Sequence, residues 1–450
     1  TPCGTLFPYT TLFRSPVISD IGYRILILLS LMKGQEIFLI DVETAFLHGK
    51  LEEEIFMECP SGMEHEDDEI LMLNKSIYGL VQAARQYHKR WTEVLVEKLN
   101  FKQSAADPCL YHRGELYIGT YVDDNIVVGS EELVNQFVKE VENEDLTVTI
   151  NKGINDYLSC EIIFDGEKKR GWIGQPHMIK KINSNFGDEV VKYRKVSTPG
   201  TPGKRIKTKF EEEETLTKEL QTKYRSGVGM LLFLVKHSRP DIANAVRELS
   251  KCMGKANYDA YEELLRVIKF VLITSEYGLK LVVKEAKEMK DQVQIETFVD
   301  AEWAGDEETR LSVSGFILMM EGNLISWRSK AQQGVTLSST ESEYVSLSDA
   351  VREVKYTMMM CESIGLKVNK PMKIRIDNIG AMFTAKTANA TKRTRHVDVK
   401  YHYVRQEIDN GEIELVFVRS EENIADMFTK NVSKAIMDLH KTKFMTVKPS

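Results

Sequence analysis

The sequence predicts an α+β protein of two or three domains, on three observations. The chain has 450 residues, more than one hydrophobic core usually supports. Short runs rich in branched and aromatic residues alternate with stretches of helical period, both early and late in the chain. A Pro/Gly-rich segment with opposed charge blocks separates the two regions.

Taken in order, residues 5–15 (TLFPYTTLFRS) carry neither helical nor strand period. They look like the translation of a sequencing-adapter oligonucleotide, so residues 1–15 are set aside from the fold. The runs 36–41 (EIFLID) and 116–122 (LYIGTYV) read as strands that end at acids. Residues 85–99 read as a helix, with Trp91, Leu95 and Leu99 four apart. Residues 148–164 suggest a hairpin. The segment 194–222 holds Thr-Pro-Gly-Thr-Pro-Gly, a basic run and then Glu211 to Glu214, and reads as an exposed linker. Residues 224–272 are mostly helical in pattern, and a weaker break falls near 284–291. Beyond it come a strand at 294–300, a hairpin at 314–320 and 324–328, a long helix at 342–364 and a strand at 373–377. Helices are expected from there to the end.

Composition narrows the function classes. Hydrophobic residues make up 42% and charged residues 28%, the balance of an ordinary globular protein. No run of eighteen apolar residues exists; the most apolar early stretch, 25–32, is too short to span a bilayer. Six scattered cysteines form no Cys-x-x-Cys or Cys/His cluster, which fits a reducing compartment and argues against structural zinc. The net charge of −7 gives no global polyanion signal. Two local basic stretches remain: 192–209, with seven Lys/Arg and no acid, and 386–405, with six and one Asp. Either can be a nucleic-acid surface or simply a solvated face.

Three acids end apolar strands: Asp41, Asp123 and Asp124. Acids gathered at strand ends repel one another and are neutralised by hard divalent cations through oxygen ligands. A lone Asp-Asp pair more often caps a hairpin turn. Its surroundings change that balance: Tyr121-Val-Asp-Asp resembles the YxDD signature of reverse transcriptases. Asp41-Val-Glu-Thr-Ala-Phe-Leu-His-Gly resembles their first palm motif, and Ile77-Tyr-Gly-Leu-Val-Gln-Ala-Ala-Arg-Gln their template and nucleotide contact motif. With Tyr157-Leu-Ser-Cys-Glu-Ile and Tyr224-Arg-Ser…Arg239-Pro-Asp-Ile, the order and spacing resemble copia-type (Pseudoviridae) retrotransposon Pol polyproteins from about residue 15 to 450.

That resemblance implies a right-hand polymerase palm and thumb with truncated fingers, followed by a ribonuclease H-like α/β domain. The implied division is 16–193 for the palm with partial fingers, 194–222 for the linker, 223–289 for a helical thumb or connection, and 290–450 for ribonuclease H. It also implies that Asp41, Asp123 and Asp124 are the polymerase carboxylates and that the Val42 carbonyl is an added metal ligand. Phe46 falls at the steric-gate position, where a ring excludes a 2′-hydroxyl. Gln82, Arg85 and Tyr121 fall at nucleotide or template contacts. Glu43, His48 and Ala84 depart from the group's usual Lys, Asn and Pro without removing an acid. With only two basic residues, Arg24 and Lys33, between the adapter-like segment and Asp41, polymerisation by this chain is expected to be weak.

A second set of acids follows: Asp300 after IETFV, Glu343 in ESEYVSLSDA, Asp377 after KIRI and Asp426 in ENIADMF. Singly, each reads as a surface carboxylate. Phe298-Val-Asp-Ala-Glu-Trp-Ala-Gly-Asp, Leu337-Ser-Ser-Thr-Glu-Ser-Glu-Tyr, Ile376-Asp-Asn and Glu422-Asn-Ile-Ala-Asp…Thr429-Lys resemble the copia-type ribonuclease H domain. That resemblance implies these four acids as catalytic metal ligands. Glu341 competes with Glu343; the apolar helical run begins directly after Glu343, which favours it. Glu302 replaces the group's usual Asp. His396 reads equally as a helix-start residue or as an aid to product release.

The resemblance further implies two Mg²⁺ (or Mn²⁺) ions at each site. The implied partners are an RNA template, a DNA primer, RNA–DNA hybrid and deoxynucleoside triphosphates, with no membrane. A cytoplasmic virus-like particle is the expected location. The alternative from another class is a non-catalytic nucleic-acid-binding or inert remnant of a decayed element. A carboxylate-pair glycosidase is disfavoured, because Asp123 and Asp124 are adjacent on a turn whereas glycosidase acids flank a sugar from opposite sides.

Overall fold

The computed structural model describes residues 16–66, 68–154, 156–165, 170–193, 196–283, 292–386 and 395–449. The segment 1–15, the break at 284–291, residues 387–394 of the basic stretch 386–405 and the side chains of 395–401, His396 among them, lie outside the described residues. The chain divides into two compact units, Thr1–Ile154 with Met359–Gly365, and Asn155–Met358 with Leu366–Ser450.

The first unit opens on helix α1 (Asp20–Lys33). Ser19 Oγ accepts the Gly22 N–H at 3.0 Å and caps its start, and Gly34 ends it in the left-handed region at φ 63°. The apolar stretch 25–32 is buried along this helix, the core role open to a run too short for a membrane. Strand β1 (Glu36–Val42), the small hairpin β2 (Phe56–Glu58) and β3 (Ile70–Met72), and helix α2 (Ala83–Thr92) follow. Next come β4 (Lys102–Gln103), β5 (Leu110–Arg113), β6 (Leu116–Tyr121), β7 (Asp124–Gly129), helix α3 (Glu131–Glu142) and β8 (Val148–Lys152). Six strands form one antiparallel sheet in the order β4-β5-β6-β7-β1-β8. Tyr87, Trp91, Leu95, Phe101, Tyr111 and Phe137 pack into its core. On α3, Val134, Phe137 and Val141 share the inward face at helical spacing.

The second unit begins with β9 (Glu161–Phe164), β10 (Arg170–Gly174) and helix α4 (Pro176–Val191). Helices α5 (Lys218–His237), α6 (Ala243–Ser250) and α7 (Tyr258–Ile273) then lead to β11 (Tyr277–Val282). The rest comprises β12 (Gln292–Val293), β13 (Ile295–Glu302), β14 (Val313–Met320), β15 (Asn323–Ala331), helix α8 (Ser339–Ser363), β16 (Lys367–Val368) and β17 (Met372–Ile376). Helices α9 (Ile379–Lys386) and α10 (Arg395–Asp409), β18 (Ile413–Phe417), α11 (Asp426–Thr429), α12 (Lys434–Lys441) and β19 (Met445–Val447) complete it.

Five of these strands form a sheet in the order β15-β14-β13-β17-β18, in which β15, β14 and β13 run antiparallel while β17 and β18 add in parallel. Numbered within the domain this is 3-2-1-4-5, a ribonuclease H-like α/β arrangement beside the α+β polymerase fold. A second sheet has the order β19-β11-β10-β9, all antiparallel.

In three places the fold departs from the sequence pattern. Residues 148–164 are not a hairpin: β8 pairs with β1, and β9 pairs with β10. The chain leaves β8 at Gly153 (φ 92°) and turns again at Leu158 and Ser159, both left-handed, which closes a bridge from Tyr157 to Cys160. The end of the chain is not wholly helical, because β18 and β19 fill edge positions in the two sheets. The Pro/Gly segment is not a free linker where it is described. Val196, Thr198 and Ile206 are buried, the Thr201 hydroxyl donates to Glu263 Oε1 at 2.8 Å, and Lys204 bridges to Asp259 at 2.6 Å. A Cβ on Gly200 would meet the Asn431 amide at 2.5 Å and displace that side chain from its bond with Asn244. Two charges of the basic run are paired, Lys204 with Asp259 and Arg205 with Glu248 and Glu302, and the Thr208 and Lys209 N–H groups donate to Glu308, whereas the side chains of Lys192, Lys207 and Lys209 are exposed.

Candidate active sites

At the first site the sheet register does the placing. Asp41 at the end of β1 lies directly opposite Asp124 at the start of β7, where cross-strand side chains are neighbours. Tyr121 pairs with Asp124 across the β6–β7 hairpin, so Val122 and Asp123 form its two-residue turn. Val122 is left-handed at φ 59°, a conformation that costs a β-branched residue roughly 1–3 kcal/mol. What over-determines this turn is a buried side-chain chain. Trp91 Nε1 donates to Thr120 Oγ1 at 3.1 Å, Thr120 Oγ1 donates to Asn125 Oδ1 at 2.8 Å, and the Asn125 amide donates to the carbonyls of Asp123 at 2.9 Å and Ile40 at 3.2 Å.

The electrostatics agree with three mutually close acids. Burial raises Asp41, and Asp123 and then Glu43 raise it further; burial, Asp123 and Asp41 raise Asp124. Phe46 sits in a short 3₁₀ turn (Ala45–His48) directly after this strand. Its ring lies 4.8 Å from that of Tyr78 and 6.4 Å from that of Tyr87, and the Ser76 hydroxyl bonds its carbonyl. The following Gly49 approaches α2 so closely that a Cβ would stand 2.8 Å from Gln86. Gln82 precedes α2 at its N-cap, and Arg85 lies half-buried on its first turn within electrostatic reach of Glu52.

At the second site, among the described residues, Asp300, Glu343 and Asp377 offer oxygens that all lie within 4.8 Å of one another. Asp300 is near the end of β13, Asp377 directly follows β17 on the neighbouring strand, and Glu343 projects from the first turns of α8. Glu341 does something else: its Oε2 accepts the Leu337 N–H at 2.6 Å while Ser338 Oγ accepts the Glu341 N–H at 3.2 Å, a variant of the capping box that starts the helix. Asp426, on α11, bonds Lys430 at 2.8 Å and is not within that 4.8 Å set.

Supporting residues fix these positions. The Ser346 hydroxyl donates to the Asp300 carbonyl at 2.8 Å and ties α8 to β13. Gln332 Nε2 donates to Ser314 Oγ and the Ser342 carbonyl, both at 2.9 Å. Thr429 Oγ1 donates to Asp300 Oδ2, Ser420 Oγ donates to Asp377 Oδ2 at 2.8 Å, and Asn423 Nδ2 donates to the Val299 carbonyl at 2.9 Å. A Cβ on Gly315 would meet Thr429 at 2.7 Å, so glycine lets α11 lie on the sheet. Asn423 and Thr429 fall inside the Glu422-Asn-Ile-Ala-Asp…Thr429-Lys motif, whereas Ser314, Gln332, Ser346 and Ser420 carry no signal of their own in the sequence.

Burial pushes Asp300 up to about 7, helped by the Asp426 carboxylate. Glu343 is raised well above the ordinary range by burial and then by Asp300 and Asp377, and Asp426 is raised by burial against the pull of Lys430. Among the described residues, the buried Glu343 Oε2 and Asp426 Oδ1 have no hydrogen-bond partner. An all-oxygen acid cluster with orphaned buried carboxylate oxygens suits a hard divalent cation.

The sign of the pH effect follows. The folded carboxyls titrate above their unfolded values, so between about pH 4 and 7 the folded chain holds more protons and its stability falls as pH rises. Without metal, thermal melts of the chain are expected to show higher stability near pH 5 than near pH 8 from this site. Asp300→Asn should flatten that slope, and millimolar Mg²⁺ should restore stability chiefly at the alkaline end. An unaltered slope in Asp300→Asn would contradict the assignment.

The two sites on these folds define a class, a template-type polymerase palm joined to a ribonuclease H-like domain. Residues 8–198 match the family model described as reverse transcriptase (RNA-dependent DNA polymerase). Over 447 residues, 95% of the chain, it is 30% identical to the retrovirus-related Pol polyprotein from transposon TNT 1-94 of Nicotiana tabacum. It is 28% identical over 446 residues to the Pol polyprotein from transposon RE2 of Arabidopsis thaliana. The chain thus carries a reverse transcriptase domain and is similar over most of its length to copia-type retrotransposon Pol polyproteins. It spans 32% and 29% of the length of those two relatives. Among solved structures, the foamy viral protease–reverse transcriptase in complex with RNA/DNA hybrid overlaps 88% of this chain and 45% of its own, at a TM-score of 0.46 and 11% identity.

Proposed function

We propose that the chain carries two metal-dependent activities: RNA-directed DNA synthesis at Asp41, Asp123 and Asp124, and cleavage of the RNA strand of RNA–DNA hybrids at Asp300, Glu343, Asp377 and Asp426. The observation that carries the reading is that two separate folds each bring acids together, by the Asp41–Asp124 register in one and by Asp300, Glu343 and Asp377 within 4.8 Å in the other. Bound Mg²⁺ or Mn²⁺, two ions per site, would lower the pKa of the attacking hydroxyl or water and stabilise charge on the leaving oxygen. Asp41, Asp123, Asp124 and the Val42 carbonyl would hold them at the first site, and the four later acids at the second.

The protein's own groups do the rest. Asn125 and the strained Val122 turn hold Asp123 and Asp124 at the strand ends, so the acids need not reorganise. Tyr121 pairs with Asp124 across the hairpin, and Gln82 and Arg85, at the start of α2, would contact the template and the incoming deoxynucleoside triphosphate opposite a primer 3′ end. Phe46, held between Tyr78 and Tyr87, presents a ring that collides with a ribose 2′-hydroxyl. At the second site Thr429 and Ser420 orient Asp300 and Asp377 by donating to them.

Primer extension and hybrid cleavage with Mg²⁺ on the purified chain test the two halves separately. Within the first, Phe46→Val is expected to raise ribonucleotide incorporation relative to deoxynucleotide by roughly tenfold or more, the scale of a size-based discrimination. An unchanged ratio would return Phe46 to a packing role. Absence of both activities, with nucleic-acid binding retained, would favour a non-catalytic remnant.

A further inference from the structure

We propose that Trp303 is a substrate-docking residue of the second site, whose exposed indole face packs against the sugars in the minor groove of an RNA–DNA hybrid. This rests on the hybrid-cleavage reading above. Trp303 lies three residues beyond Asp300, immediately after β13, and is 46% exposed, whereas Trp91 and Trp172 are buried. A large ring left in solvent is costly, and this one is also held still. Its Nε1–H donates to the Thr336 carbonyl at 3.0 Å. Thr336 Oγ1 shares a 2.8 Å hydrogen bond with Ser312 Oγ, and Ser312 Oγ accepts the Ala304 N–H at 3.0 Å, with Ser312 and Thr336 both buried. Ala304 itself is left-handed at φ 47°. A strained backbone and a buried polar network therefore serve to fix an exposed ring.

Where that ring sits identifies its partner. Thr336 leads into α8, so the hydrogen bond links the element carrying Asp300 to the one carrying Glu343. Val335 and Leu337, on either side of the Thr336 that holds the indole, are 56% and 86% exposed. The indole N–H is already satisfied, so only a flat carbon face is on offer. Four acids lie close by in the chain, Glu302 before the ring and Asp306, Glu307 and Glu308 after it. Three of them are drawn aside, Glu302 by Arg205, Asp306 by Lys251 at 2.7 Å, and Glu308 by Thr208 and the Lys209 N–H, whereas Glu307 is exposed. A flat apolar ring three residues from Asp300 suits the sugar carbons of a wide, shallow minor groove rather than its phosphates.

The test uses the full chain and a hybrid of about twenty base pairs, in EDTA for binding and in Mg²⁺ for cleavage. Hybrid addition should quench tryptophan emission in the wild type and leave emission unchanged in Trp303→Phe. Trp303→Ala should weaken binding and raise KM by about tenfold, within the range measured for aromatic–base contacts, with kcat at saturating hybrid retained. Trp303→Phe should recover most of the affinity. Unchanged affinity and KM in Trp303→Ala overturn the proposal. Equal defects in Ala and Phe variants, with kcat and melting temperature falling together, also overturn it and leave Trp303 a structural role. If Trp303→Ala is silent while Asp377→Asn loses cleavage, the docking assignment fails and the nuclease reading stands. A wild type that neither binds nor cuts the hybrid removes both.

Discussion

Asp377→Asn is expected to abolish cleavage of the RNA strand in an RNA–DNA hybrid while leaving the chain folded. The substitution keeps the shape of the side chain and one oxygen, which Ser420 can still satisfy, but removes the negative charge that Asp300 and Glu343 share with it. Metal-assisted stabilisation of the developing charge is worth several kcal/mol. At about 1.4 kcal/mol per decade this corresponds to a rate loss of at least a hundredfold. The fold should tolerate the change well, because removing one carboxylate from a crowded acid cluster relieves repulsion. The check is a hybrid-cleavage time course beside a thermal melt: normal cutting would refute the site, and a collapsed melt would make lost activity uninformative, in which case Glu343→Gln takes its place.

Asp241→Ala is expected to be among the most destabilising single substitutions in the second unit. Arg239 is wholly buried and forms two bonds to Asp241, at 2.9 and 2.8 Å, with further bonds to the Thr274 carbonyl at 3.1 Å and hydroxyl at 2.8 Å. Taking away the carboxylate leaves a guanidinium without its counter-charge in the interior, which costs about 3–5 kcal/mol. For a unit of this size that is a fall in melting temperature of roughly ten degrees. Replacing both partners with leucine should cost distinctly less, since the penalty lies in the orphaned charge. If the double variant melts as low as the single one, the loss is one of packing or of the Thr274 contacts. Arg239 and Asp241 belong to a motif that resemblance to the family had singled out. Their observed contacts are those of a structural pair joining the end of α5 to the end of α7.

Strands and helices with an unmistakable period were legible from the residues. EIFLID, LYIGTYV, the 314–328 hairpin and the long helix through Glu343 all occupy elements within a few residues of their expected bounds. Less legible were pieces whose identity depends on distant partners. Residues 445–447 (MTV) have no local pattern and become a strand because Tyr277 to Leu279 offer them an edge. Residues 148–152 are polar and exposed along most of their length, and read as half of a hairpin until β1 is there to pair with. The Pro/Gly segment looked solvated because its charges were visible and their buried partners, Glu248 and Glu263, were not. At the sites, the acids stood out by family motif. Of the hydroxyls and amides that aim them, Thr429 lies in one such motif, whereas Asn125, Gln332 and Ser346 are residue types found everywhere, and only proximity in the fold distinguishes them.

The pairing of β19 with β11 bears on how the protein is made. Strands β9, β10 and β11 emerge from the ribosome well over a hundred residues before Met445 does. At roughly 5–20 residues per second, the three-stranded sheet waits on the order of ten seconds for its fourth member. During that interval β11, with Leu279 and Leu281 facing the core, presents an unpaired edge that any other extended segment can join. Every nascent chain therefore passes through a window in which a neighbour on the same messenger can supply the missing strand, so the yield of correctly closed protein should depend on translation speed and on the spacing between ribosomes.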